Sequence, residues 1–105
     1  MLALLSSVIC SVALLIPSAA AEQVGNAADG AAYAKQVCAQ CHAIDRTGTS
    51  PEPTAPPFRD VANTPGITGT ALTVWLSTSH PTMPNIVLDR HDMENVVAFI
   101  LSLKE

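Results

Sequence analysis

Two cysteines separated by Ala39 and Gln40 and followed at once by a histidine, Cys38-Ala39-Gln40-Cys41-His42, are the residues of this chain whose types and spacing most directly imply chemistry. Cys-x-x-Cys-His is the attachment signature for c-type haem. The spacing is mechanical: two thiols three residues apart reach the two haem vinyl groups as thioethers, and the adjacent histidine is carried beneath the iron, where neutral imidazole is a good ligand. The Cys-x-x-Cys half alone also serves dithiol redox sites and zinc sites. A dithiol motif of the thioredoxin kind follows a strand and opens a helix, whereas this one closes a helical segment. A structural zinc site needs four ligands, and past residue 21 the chain offers two cysteines and three scattered histidines. Covalent haem is therefore the expectation, with dithiol redox and zinc as the alternatives.

The composition agrees with a cofactor-centred domain. The chain has 105 residues and only four aromatics, Tyr33, Phe58, Trp75 and Phe99, which is thin for a self-sufficient core and adequate for one built around a large flat group. Residues 1–21 carry no charge, are dominated by Leu, Val, Ile and Ala, and end in a small-residue run. They read as an export signal cut before Glu22, leaving residues 22–105 as one domain. An uncleaved membrane anchor is the second reading, since about 20 helical residues span roughly 30 Å of hydrocarbon. The absence of Lys or Arg ahead of Lys35 is unusual for an export signal and calls the start at Met1 into question. Cys10 falls within that segment and reads as a plain apolar residue; the bulky Val8 and Ile9 before it argue against lipid attachment. Five Lys and Arg stand against nine carboxylates, giving a net charge of −4, and no basic cluster exists to meet phosphates, which excludes nucleic acid as a partner.

The elements that must position the motif follow from capping and periodicity. Asn26 or Asp29 can cap a helix reaching about residue 40, with Tyr33, Ala34 and Val37 on its core face. Residues 46–57 contain four prolines and no apolar period, and read as a loop wrapped over something rather than as a linker. A short turn over 58–63 and a tight turn at Thr64-Pro65-Gly66 follow. Thr68 or Thr70 caps a second helix to about residue 77 carrying Leu72, Trp75 and Leu76. Residues 77–88 form a second proline-bearing loop, His80-Pro81-Thr82-Met83-Pro84. Asp89, with Asp92 three positions on, caps a last helix in which Met93, Val96, Val97, Ile100 and Leu103 keep helical spacing. His91, between those acids, reads as a surface residue. No segment alternates with period two, so an all-α domain of about three main helices is expected.

Over residues 29–103 the chain resembles the class I c-type cytochromes of the small bacterial monohaem kind. The resemblance rests on Cys38 to His42, on Ala55-Pro56-Pro57-Phe58, on Met83-Pro84 and on the helix Val96-Val97-Ala98-Phe99-Ile100-Leu101-Ser102-Leu103. It implies a cytochrome c fold enclosing one covalently bound haem, with Met83, 41 residues after His42, as the sixth iron ligand. Thioether sulfur is soft and neutral and favours ferrous iron, and Pro81 and Pro84 would stiffen its loop. His80, three residues earlier, is the rival ligand. The resemblance further implies that the Pro56 carbonyl accepts the N–H of the axial histidine. Trp75 and Arg59 are candidates to bond the haem propionates. Where the family places an aromatic four residues before the first cysteine, this chain has Ala34, with Tyr33 one position earlier. Gly30 and Phe99 fit the family's helix contact, so Phe99 is expected to pack on Gly30.

The function these readings imply is outer-sphere transfer of single electrons in the periplasm, with no bond made or broken and no catalytic residue. Redox partner proteins are implied, with a basic docking patch expected on them from the acidic charge of this chain. One rival is a dedicated electron-transfer subunit of a dehydrogenase, such as one oxidising sulfite, an alcohol or an amine. Another is a ligand-binding or peroxidase-like haem protein, which needs an open sixth position.

Overall fold

The computed structural model describes residues 24–78 and 81–105, so the expected leader over 1–21 and the rival ligand His80 lie outside the described residues. The three longer helices each begin at a side chain that satisfies free amides of the first turn. Asn26 Oδ1 accepts from the N–H groups of Ala28 at 2.9 Å and Asp29 at 3.1 Å, starting α1 over Ala27–Val37. The helix then tightens into a 3-10 turn over Cys38–Gln40. A short α2, Phe58–Ala62, follows the long loop. Thr64 to Ile67 close a turn in which the Ile67 N–H donates to the Thr64 carbonyl at 3.1 Å. Gly66 has φ +77° there, the left-handed conformation that the third position of a type II turn requires after proline. Thr68 Oγ1 accepts from the Ala71 N–H at 3.1 Å and opens α3, Gly69–Ser77. Asp89 Oδ1 accepts from the Asp92 N–H at 2.8 Å and opens α4, Arg90–Ser102. Among the described residues there is no strand.

Helix α4 is the centre of the fold, with α1, α2 and α3 all packed on it. Its residues Asn95 to Ile100 are buried without interruption, and Val96, Val97, Phe99 and Ile100 among them join Ala34, Phe58, Ala62, Leu72 and Leu103 in one core. The closest approach is at Gly30, where an added Cβ would fall on the Asn95 carbonyl and within 2.8 Å of Phe99 Cβ. Phe99 thus packs on Gly30, as expected, and its ring meets Phe58 at a centroid distance of 6.2 Å. The buried Asn95 accepts the Asn26 N–H on its Oδ1 at 2.7 Å and places its Nδ2 3.3 Å from Nδ1 of the exposed His91. The start of α1 is therefore tied to the first turns of α4.

The expected core face of α1 needs one correction. Ala34 is fully buried together with Gly30, but Tyr33 and Val37 are only half-buried. Periodicity gave the stripe correctly, but the close crossing at Gly30 leaves room against α4 for the smallest residues only. Tyr33 packs at the core margin, and burial with the nearby Asp92 holds its phenol above the ordinary range.

The loop between the 3-10 turn and α2 is fixed at both ends. The Phe58 N–H donates to the Ala43 carbonyl at 2.8 Å and the Glu52 N–H to the Cys41 carbonyl at 3.1 Å. Ser50 Oγ, buried, accepts the Ala43 N–H at 3.0 Å. Arg46 Nη2 donates to the Ser102 carbonyl at 2.7 Å, a cation at the negative end of α4, which has no basic residue in its own last turn.

Candidate functional site

Between the Cys38 to His42 turn, the proline loop, α3 and the 82–86 loop lies a cavity of about 640 Å³, within the range of roughly 300–1,000 Å³ common for cofactor sites. Six of the residues singled out from the sequence line it: Cys38, Cys41, His42, Pro56, Trp75 and Met83. The remaining wall is largely aliphatic, with Val61 from α2, Ile67 from the type II turn, Leu72 and Leu76 from α3, Ile86 from the late loop and Ile100 from α4. Several of these side chains belong to the core itself, so the protein interior opens into the cavity. A void of this size lined by apolar atoms forfeits their contacts and is costly unless something fills it.

The His42 ring is fixed in orientation by two neighbours. Its Nδ1 lies 2.7 Å from the Pro56 carbonyl; a carbonyl can only accept, so Nδ1 carries the proton and Nε2 keeps its lone pair. The ring also stacks obliquely on Phe58 at 5.1 Å, and Phe58 is itself anchored against Phe99. Orientation of the imidazole is thereby transmitted from α4 through two aromatic rings.

The two cysteines are half-buried and unbridged. Burial pushes the Cys38 thiol up to about 11, which disfavours the thiolate that a dithiol nucleophile needs. A thioether has no proton to lose, so an apolar wall costs it nothing. Among the described residues no three His, Cys, Asp or Glu side chains converge as a metal site. The cavity, its largely apolar walls and the oriented imidazole fit a haem, which Cys38 and Cys41 would hold covalently.

Arg59 departs from expectation. Its Nη1 donates to the Gly48 carbonyl at 2.7 Å and its Nε lies 3.6 Å from Asp60 Oδ1, and it does not line the cavity. Its position at the second residue of α2 turns it toward the 46–57 loop, so it braces that loop instead of facing a propionate. The sequence reading missed Val61 and Ile67, whose short segments carry no period long enough to reveal a face. It also missed Glu52, Thr54 and Thr64, polar residues on the cavity wall.

Comparisons with known proteins agree with this geometry. The Cytochrome c family model matches residues 27–104. The chain is 31% identical over 96 residues to cytochrome c-552 of Bradyrhizobium diazoefficiens, covering 91% of this chain and 92% of that protein. No solved structure matches it. With the Cys-x-x-Cys-His turn on the wall of a largely apolar cavity in a helical fold, and a family match running from the first helix to the last, this chain belongs to the cytochrome c family: an electron-transfer protein, not an enzyme, that binds haem c covalently and exchanges electrons with redox partner proteins.

Proposed function

We propose that this protein is a periplasmic carrier of single electrons whose one haem is bonded to Cys38 and Cys41 and ligated by His42 and Met83. The observation that carries the reading is that the oriented imidazole of His42, both thiols and the Met83 side chain line one apolar cavity, although Met83 comes from a loop 41 residues away in sequence. Bound haem supplies the one-electron iron couple. The chain's own residues exclude water from it, keep the His42 proton on Nδ1, and offer a thioether that favours the reduced state. Trp75 and Pro56 complete the site, one as a cavity wall and the other through its carbonyl.

Export rests on the uncharged apolar stretch over 1–21, and matches a chemistry in which thiols are linked to haem outside the cytoplasm. The partners are proteins that donate or accept single electrons, and the acidic charge of −4 matches a basic docking patch on them. The decisive experiment is acid–acetone extraction of the denatured protein. The polypeptide should keep the absorbance and mass of one haem, and Cys38→Ser or Cys41→Ser should retain at most one thioether. Extraction of the haem from the wild-type chain would overturn the assignment.

A further inference from the structure

We propose that Glu52 is a charge that tunes the reduction potential of the haem, an inference that rests on the covalent haem assignment above. Among the described residues lining the cavity, Glu52 is the only one of the Asp, Glu, Lys and Arg types. Its main chain is fastened to the attachment motif, since its N–H donates to the Cys41 carbonyl at 3.1 Å. Its carboxylate is held in turn by two donors, the Thr54 N–H at 3.2 Å and the Thr54 hydroxyl at 3.0 Å, both on Oε1. The acid therefore stands at a set place relative to Cys41 and His42.

Among the described residues no cation pairs with it. The cationic side chains of the neighbouring loop are engaged elsewhere, Arg46 with the Ser102 carbonyl and Arg59 with Gly48 and Asp60. Among the described residues the two ion pairs are Arg59–Asp60 and Arg90–Glu94, and neither involves Glu52.

When a partner donates one electron, ferric iron becomes ferrous and the site loses one positive charge, with no bond or proton moved. A fixed carboxylate on the cavity wall stabilises the more positive, oxidised state by Coulomb attraction and so lowers the potential. Because Glu52 is solvent-exposed, water and salt weaken this effect without abolishing it. At low ionic strength, removing the charge is expected to raise the ratio of reduced to oxidised protein at a fixed external potential about two- to fivefold, as for unit charges roughly 10 Å apart in a high effective dielectric.

The test is redox titration of the haem-bearing protein at neutral pH in low salt, comparing wild type with Glu52→Gln, Glu52→Asp and, as an equal change of net charge away from the cavity, Asp29→Asn. Glu52→Gln should raise the potential with an unchanged absorption spectrum, Glu52→Asp should fall between it and wild type, and Asp29→Asn should shift less than Glu52→Gln. Added salt should raise the wild-type potential more than that of Glu52→Gln. A Glu52→Gln protein with wild-type potential, or with a shift no larger than that of Asp29→Asn, overturns the role of Glu52 alone. Should Glu52→Gln fail to mature, Glu52→Ala removes the same charge, and a Glu52→Ala potential and salt response equal to wild type overturns it instead. Haem extracted from the denatured wild type overturns the haem assignment, and this outcome is separate from the potentials.

Discussion

At the level of single residues, the sixth ligand is the assignment with the sharpest spectroscopic consequence. Thioether sulfur gives oxidised haem a weak far-red charge-transfer band and raises the potential relative to a second imidazole. Met83→Ala should abolish that band and lower the potential, and His80→Ala should leave both as they are; the reverse pattern would identify a bis-histidine site. The Pro56 partner of His42 behaves differently because the accepting atom is main chain. Pro56→Ala keeps the carbonyl, so the potential should hold while thermal denaturation shows a loss of about 0.4–1 kcal/mol from the freer unfolded loop. A shift in potential without a loss of stability would show that the ring of Pro56, rather than its carbonyl, matters to His42. Cys38, Cys41 and His42 were legible in the sequence because covalent chemistry dictates their spacing. Arg59 was not, since a guanidinium six atoms from its Cα takes whichever carbonyl the folded loop brings near, here that of Gly48.

At the level of elements, the crossing of α1 on α4 fixes where the attachment turn emerges. An added methyl group at Gly30 would overlap the Asn95 carbonyl, and relieving that overlap requires the helices to part. Gly30→Ala should therefore destabilise the protein by about 1–3 kcal/mol, the usual cost of overpacking, despite alanine's better helix propensity. Denaturant titration of the oxidised protein measures this, and a stabilised variant would show that the helices separate freely at this point. Asn95→Ala removes the acceptor of the Asn26 N–H in a buried setting, with an expected cost of about 1–3 kcal/mol by the same titration. Helix starts were the most legible features of this fold, because Asn26, Thr68 and Asp89 announce themselves by side-chain chemistry and sit at the caps. The burial of α1 was less so. A period of 3.6 nominates Tyr33, Ala34 and Val37 alike, and only the partner helix, approaching within the space of a glycine, decides that Ala34 goes in while Val37 faces the cavity. Helix α2 has five residues, too few for any period, and its place depends on the Phe58 N–H reaching Ala43 across the loop.

For the whole molecule, the arrangement of charge bears on how partners are met. The chain carries −4 overall, yet between Asp60 and Asp89 it has no Asp, Glu, Lys or Arg. That uncharged stretch supplies α3 and the Met83 loop, one side of the cavity wall, with Val74, Trp75 and Val87 substantially exposed. If partners dock on this face, long-range attraction and close contact would fall to different parts of the surface: the net charge would act over a Debye length, about 8 Å at physiological salt, and the contact itself would be apolar. Electrostatic steering changes the rate of encounter, whereas desolvation and packing at the centre of an interface set the rate of departure. With a partner presenting a basic patch, the association rate should fall steadily as salt is raised from about 10 mM to 500 mM, while dissociation changes little. Replacing Val74 by Asp should do the opposite, speeding dissociation at every salt concentration. Stopped-flow reduction across the salt series separates the two contributions. An association rate that is flat or rising with salt would remove the steering role of the acidic charge and leave the apolar face as the whole basis of recognition.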